Sequence, residues 1–301
     1  MPNPGRGHGA PRLSPPYACL KIAAKRDCSS AMPYLPSPGR CIYCPATDGL
    51  TDEHIIPMAL GGRLVLQNAS CRACAKITRN FERIVTREMY WPLRLRLGVK
   101  GSRKHKDRPT HWPGVLTDDD KITEMAIEVG KLPTIYGILE MAPPGFTTGE
   151  PLTEGNPPMK VHIKMDQSEV DQFLKEYEAG KFKFEVTLQW GPFSRMIAKI
   201  CHGYAISVLG LEGIEFFLPP LILGASHHLA QFVGGISHPE HALRPPTDIS
   251  LALFGKPNGE LYVIGRTTIF GNDRFPTYET VIGRITDRDL ISAKMACAQQ
   301  R

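Results

Sequence analysis

Two C-x-x-C pairs constrain this chain of 301 residues more than any other feature: Cys41 with Cys44, then Cys71 with Cys74, with 26 residues between the pairs. A two-residue gap lets a tight turn aim both sulfurs inward, and four thiolates can surround one ion tetrahedrally at about 2.3 Å. Two such pairs a few tens of residues apart are the pattern of a structural zinc site. Four sulfurs leave no open coordination position, so Zn²⁺ is expected to fold the chain around itself rather than do chemistry. Cys19, Cys28, Cys201 and Cys297 show no paired spacing. A disulfide framework would need a secretion signal and a more even cysteine spread.

Charge is divided unevenly along the chain. Residues 1–115 carry a formal +12 and residues 116–301 carry −6. This asymmetry points to an N-terminal part that meets a polyanion and a C-terminal part that does not. No run of about 18 apolar residues occurs, so no membrane span is expected. The longest apolar stretch, Phe216 to Gly224, is broken by Pro219 and Pro220. The N-terminus lacks the apolar stretch of a secretory signal peptide, which makes a cytoplasmic location the expectation.

Periodicity divides the rest. Residues 1–38, rich in Pro, Gly, Ser and Arg, show no hydrophobic period and read as a disordered basic arm. Residues 39–92 form a compact unit of Cys knuckle, strand, loop, second knuckle and helix. That helix is expected from about Cys71 to Tyr90, with Ser70 as N-cap, ending at Trp91-Pro92. Residues 93–115 make a basic linker, strand-like at first and then loop-like. The fold class expected is α+β, with residues 116–301 a separate α+β domain holding an antiparallel sheet. Its helices are read at 168–179 and 193–209, the second closed by Gly210, and its strands at 181–190, 251–254, 261–264 and 278–285.

Between the knuckles runs L-T-D-E-H-I-I-P-M-A-L-G-G, residues 50–62. The acidic-His-x-x-Pro element at 53–57, the Leu60-Gly61-Gly62 that follows, and a Cys knuckle opening a helix together resemble the HNH nucleases, in their zinc-stabilised branch. The resemblance spans residues 41–90 and implies a ββα-metal fold that hydrolyses phosphodiester bonds in nucleic acid, DNA being the expected substrate. It implies His54 as general base, a task that suits an imidazole with a pKa near 6.5. It implies Glu53, with Asp52 as understudy, as ligand to a catalytic Mg²⁺ or Mn²⁺, hard ions that favour carboxylates. Asn68 is the candidate for the middle Asn, which stiffens the loop. At the third position, commonly His or Asn, this chain has Ala75. A methyl group cannot ligate a cation, so Thr78, Asn80 or Glu82 substitutes, or fewer groups hold the ion, or catalysis is lost. The alternative function is therefore a catalytically impaired, zinc-dependent nucleic-acid-binding module.

Beside this unit Arg94, Arg96, Lys100, Arg103, Lys104, Lys106 and Arg108 are expected to track phosphates. His227, His228, His238 and His241 read as surface or core-polar histidines, and His202 as a hydrogen-bonded buried one. Asp118, Asp119 and Asp120 read as a solvated turn ahead of a helix.

Overall fold

The computed structural model describes residues 22–23, 34–96, 110–118, 121–183, 185, 187–236, 247–271 and 275–299. The class is α+β, as expected: a small zinc-knuckle unit followed by a sheet-rich region. The N-terminal arm is not structureless where it is described. Strand β1 (Ile22–Ala23) pairs antiparallel with a strand of the main sheet, and β2 (Tyr34–Leu35) pairs parallel with β4 (Val65–Cys71). Arm composition forecasts no core of its own, and these pairings borrow their hydrogen bonds from sheets built elsewhere.

The knuckle unit comprises β3 (Leu50–His54), a 3-10 turn at Met58–Leu60, β4 (Val65–Cys71) and helix α1 (Arg72–Ile84). The N-cap of α1 is Cys71 and not Ser70, because β4 runs through Ser70 up to the knuckle itself. After Ile84 the helix widens into a π turn, Val85–Met89, with Tyr90 N–H donating to Val85 O at 3.0 Å. This shift of phase puts Tyr90 wholly inside, against Phe193, Phe270 and Phe275. The alternation at 93–96 is not a strand: Trp91–Arg96 form α2, and Pro92 in its first turn suits a helix start rather than a stop.

β5 (His111–Asp118) and β6 (Lys121–Glu128) form a hairpin, and a third strand, β9 (Lys181–Lys183), joins β5 on its other side. Asp118 therefore ends a strand and does not open a helix. β7 (Ile135–Met141) and β8 (Met159–Met165) make a separate two-stranded pair, with the short α3 (Gly145–Thr148) in the loop between them. α4 (Gln167–Glu176), capped by Asp166, buries Val170 and Phe173, and Phe173 packs with Leu116 and Ile127 under the β5–β6 hairpin. The strand read over 181–190 is confined to β9 (Lys181–Lys183), and the helix that follows starts early, at Trp190.

That helix, α5 (Trp190–Leu209), closes at Gly210 and buries residues on every side. Next come β10 (Ile214–Phe216), α6 (Leu218–Leu223), α7 (Leu229–Phe232) and β11 (Val233–Gly235). Last are β12 (Thr247–Gly255), β13 (Leu261–Ile269), β14 (Tyr278–Ile285) and α8 (Arg288–Gln299). The main sheet runs β1-β12-β13-β14-β10, with β11 also on β14. α5 can approach it because Gly265 on β13 has no side chain; a Cβ there would sit 2.6 Å from that of Cys201.

The knuckle unit and the C-terminal region share one core. Ile42, Ile55, Phe81 and Val85 belong to the same buried cluster as Phe193, Ile197, Val263 and Ile282. α5 joins the two because it is buried along most of its length, and such a helix needs neighbours on all sides. One of those neighbours is α1.

Candidate functional site

The sulfur site is assembled from two turns. Cys41 N–H donates to Ala46 O at 2.8 Å, which closes the first knuckle, and Ile42 N–H donates to Ala69 O at 2.8 Å, which moors it to β4. Cys71 ends β4 and Cys74 lies in the first turn of α1. All four Sγ atoms lie within 4.8 Å of one another. Cys44 Sγ is 3.7 Å from both Cys71 Sγ and Cys74 Sγ. A tetrahedron with zinc–sulfur bonds of about 2.3 Å has edges of about 3.8 Å, so both the donor set and its size fit zinc. Burial pushes the Cys41 and Cys74 thiols up, whereas the Cys74 backbone amide draws Cys71 down to about 7. A bound dication would hold all four as thiolates.

The acidic-His element lies at the end of β3. Opposite it the register with β4 slips: Thr51 faces Ser70, but Glu53 faces Leu66. Asn68 sits in this irregularity with φ at 46°, a left-handed conformation that Asn tolerates better than most residues. Asp52 Oδ1 accepts the Asn68 N–H at 3.0 Å, so Asp52 serves the backbone of the loop and Asn68 is its partner. The Gly pair after Leu60 has two separate jobs. Gly61 takes φ +86° to end the 3-10 turn, and a Cβ at Gly62 would run into the Ile56 carbonyl.

His54, the last residue of β3, is half-buried, and its Nε2 has no hydrogen-bond partner among the described residues. Burial, and then the positive charge of Lys199, lower its pKa below the usual value. The ring is thus neutral at neutral pH and able to accept a proton.

Glu53 turns the other way, into the protein, and is 6 % exposed. Its Oε1 lies 2.8 Å from Lys199 Nζ, on α5. The same Nζ is 2.7 Å from Glu82 Oε1 on α1, donates to Ile55 O at 3.3 Å, and donates to His54 O. Glu82 has the separation of an ion pair without an aligned hydrogen bond, so its attraction to Lys199 is coulombic. Burial raises the Glu82 pKa; it would also lower that of Lys199, but the two carboxylates outweigh it and the ammonium stays charged. Lys199 was missed in the sequence. The sign it left there is a cation set directly among apolar residues of α5, M-I-A-K-I-C.

A catalytic Mg²⁺ or Mn²⁺ does not fit these residues. Glu53 and Glu82 hold Lys199, and Asp52 holds a backbone amide. Ala75 offers no donor, Thr78 Oγ1 donates to Ala75 O at 3.3 Å, and Asn80 is exposed. Among the described residues, the four cysteines alone gather three or more His, Cys, Asp or Glu donors closely enough for an ion.

The cations expected to track phosphates divide differently. Arg94 is committed inward, with Nη1 donating to Thr86 O at 2.7 Å and Nε to Ala59 O. Arg96 closes α2, while Lys100, Arg103, Lys104, Lys106 and Arg108 lie outside the described residues, as do His238, His241, Asp119, Asp120, Cys19 and Cys28. His228 Nδ1 bonds Thr153 O, and His202 Nε2 donates to Ile42 O at 2.7 Å, as a buried histidine should. α1 displays cations that sequence reading passed over. Arg72, Lys76, Arg79 and Arg83 recur at helical spacing along one exposed face. The last three line a groove of about 620 Å³ against Arg195 of α5.

Residues 41–88 match the model of a family described as HNH endonuclease, so the chain carries an HNH-type module from its first knuckle to the π turn. No curated protein and no solved structure matches the chain.

Proposed function

We propose that this chain is a nucleic-acid-binding protein built on a zinc-folded HNH module, with α1 as its phosphate-facing surface and its phosphodiester cleavage impaired. The observation that carries this reading is the row of Arg72, Lys76 and Arg79, ending in Arg83 with its ion pair to Glu88, on α1 of a module matched to HNH endonucleases. Eleven residues of helix span about 16 Å, enough to follow several successive phosphates of one strand. Lys100, Arg103, Lys104, Lys106 and Arg108, a short way along the sequence, add to the positive charge available to the same partner, which is duplex DNA. Zinc on the four sulfurs holds the module in shape. Cleavage is impaired because Ala75 supplies no ligand and Glu53 is engaged. One observation favours the endonuclease instead: the His54 imidazole at the strand end has a lowered pKa, and its buried Nε2 has no partner among the described residues, so a proton acceptor is held in reserve there.

The test is binding of the zinc-loaded chain to duplex DNA as a function of salt, beside plasmid nicking with Mg²⁺ or Mn²⁺. Lys76→Ala with Arg79→Ala should flatten the log–log salt slope by about 2, at about 0.9 per lost phosphate contact. An unchanged slope removes α1 from the interface. Nicking that vanishes in His54→Ala would establish the endonuclease reading in place of the binding one.

A further inference from the structure

Four oxygens converge on one buried point between β3, α1 and α5. They are the carboxylates of Glu53 and Glu82 and the carbonyls of His54 and Ile55. No nitrogen or sulfur donor takes part in these contacts. Carboxylates mixed with backbone carbonyls are what a hard cation selects as its shell. The two carboxylates come from the strand and the helix of the HNH module, and the cation between them comes from α5, far along the chain. The Lys199 side chain is 0 % exposed, and that of Glu53 only 7 %. An ammonium carries one positive charge and donates three hydrogen bonds, so it can satisfy most of such a cage without any ion from solution.

We propose that the Lys199 ammonium is the resident cation of this module: it fills the place between Glu53 and Glu82 that a divalent ion would take, and thereby keeps such ions out. The inference is independent of whether α1 binds nucleic acid, and it concerns the oxygen cage rather than the sulfur site. A lysine serving only as a strut would leave, once removed, two buried carboxylates that neutralise by protonation. A lysine standing in for a metal leaves a shell that takes one up.

Mn²⁺ binding to the zinc-loaded full chain, followed by electron paramagnetic resonance, separates these cases. Wild type should bind no Mn²⁺ that depends on Glu53. Lys199→Ala should bind one Mn²⁺ per chain, at least about tenfold more tightly than wild type, and should lose it when Glu53→Gln is added. A variant that folds only when Mn²⁺ is supplied, read as a thermal shift, supports the proposal equally. It is overturned if wild type binds Mn²⁺ through Glu53. It is also overturned if Lys199→Ala keeps its zinc and fold yet binds no more Mn²⁺ than wild type, or if the variant is unfolded and no divalent ion restores it. DNA binding measured on the same samples reports on the basic surface and not on the oxygen cage, so failure of one reading leaves the other standing.

Discussion

Two corners of one small module gather four donor atoms each, and they solve the same electrostatic problem in opposite ways. At the knuckles four sulfurs converge to within 4.8 Å of one another. At the strand end four oxygens converge on an ammonium that the chain supplies itself. Thiolates are soft and crowd tightly, so the first corner calls for an external ion to hold its charges together. Carboxylates pair well with an ammonium, so the second can be closed from within. The lesson is that a metal-site scaffold does not commit every one of its cation positions to metal.

The largest test of this contrast is zinc removal. Structural zinc in small sites contributes about 10–16 kcal/mol of apparent folding energy, so a chelator or Cys71→Ser should unfold the knuckle unit. Because that unit shares its core with α5 and the main sheet, the C-terminal region should also melt at a lower temperature. Circular dichroism melts beside zinc analysis check this; a C-terminal transition that does not move would show that the shared core contributes little.

Next comes the oxygen corner. Lys199→Met strands two buried carboxylates, and breaking a buried pair typically costs about 3–5 kcal/mol. Adding Glu53→Gln and Glu82→Gln should recover much of that loss, since the amides carry no charge. Urea midpoints of the single and triple variants give the answer, and a triple variant no better than the single would locate the cost in packing.

A smaller effect is expected at the link between the sulfur corner and α5. His202 is buried neutral, its pKa pushed down to about 4 by burial and only partly restored by its bond to Ile42 O. Its folded pKa lies below the unfolded value, so between these two values the unfolded chain binds the extra proton. Stability is therefore complete above about pH 6.5 and falls as pH drops toward 4, by about 3 kcal/mol from this group. His202→Gln should flatten that part of the acid profile of urea stability; an equally steep profile would place the acid sensitivity at the cysteines. Smallest of all, Lys76→Ala and Arg79→Ala should change stability by less than about 0.5 kcal/mol, because both side chains are exposed. A larger loss in the same urea titration would make the α1 row structural rather than available to a ligand.

What was legible in the sequence follows the range of the interaction. The sulfur site could be read because two residues between cysteines is a local fact that fixes local geometry. α5 and β14 could be read nearly whole from their apolar patterns, whereas β13 was read only over its first four residues, Leu261 to Ile264, and runs on to Ile269. Lys199 could not be placed, since its partners lie more than a hundred residues earlier and nothing near it in the chain asks for a carboxylate. Arg94 was misjudged for the opposite reason: it sits in a basic run, yet its guanidinium turns inward to the carbonyls of Thr86 and Ala59. The shared core was hidden because a helix buried along most of its length does not say which neighbours it will find. Ala75 stood plainly in the sequence, but its meaning emerged only once Glu82, further along α1, was found on Lys199.

The oxygen corner also has a history within each molecule. Synthesis proceeds from the N-terminus at about 5–20 residues per second, and more than a hundred residues separate Glu82 from Lys199. For roughly 5–25 s, then, a newborn knuckle unit carries its two carboxylates without the ammonium that later joins them. The four sulfurs are complete from the moment Cys74 is made. On the two proposals above the module would mature in two instalments, a metal-dependent one early and a metal-free one late, and α5 would end the period in which the oxygen cage lies open to ions of the surrounding solution.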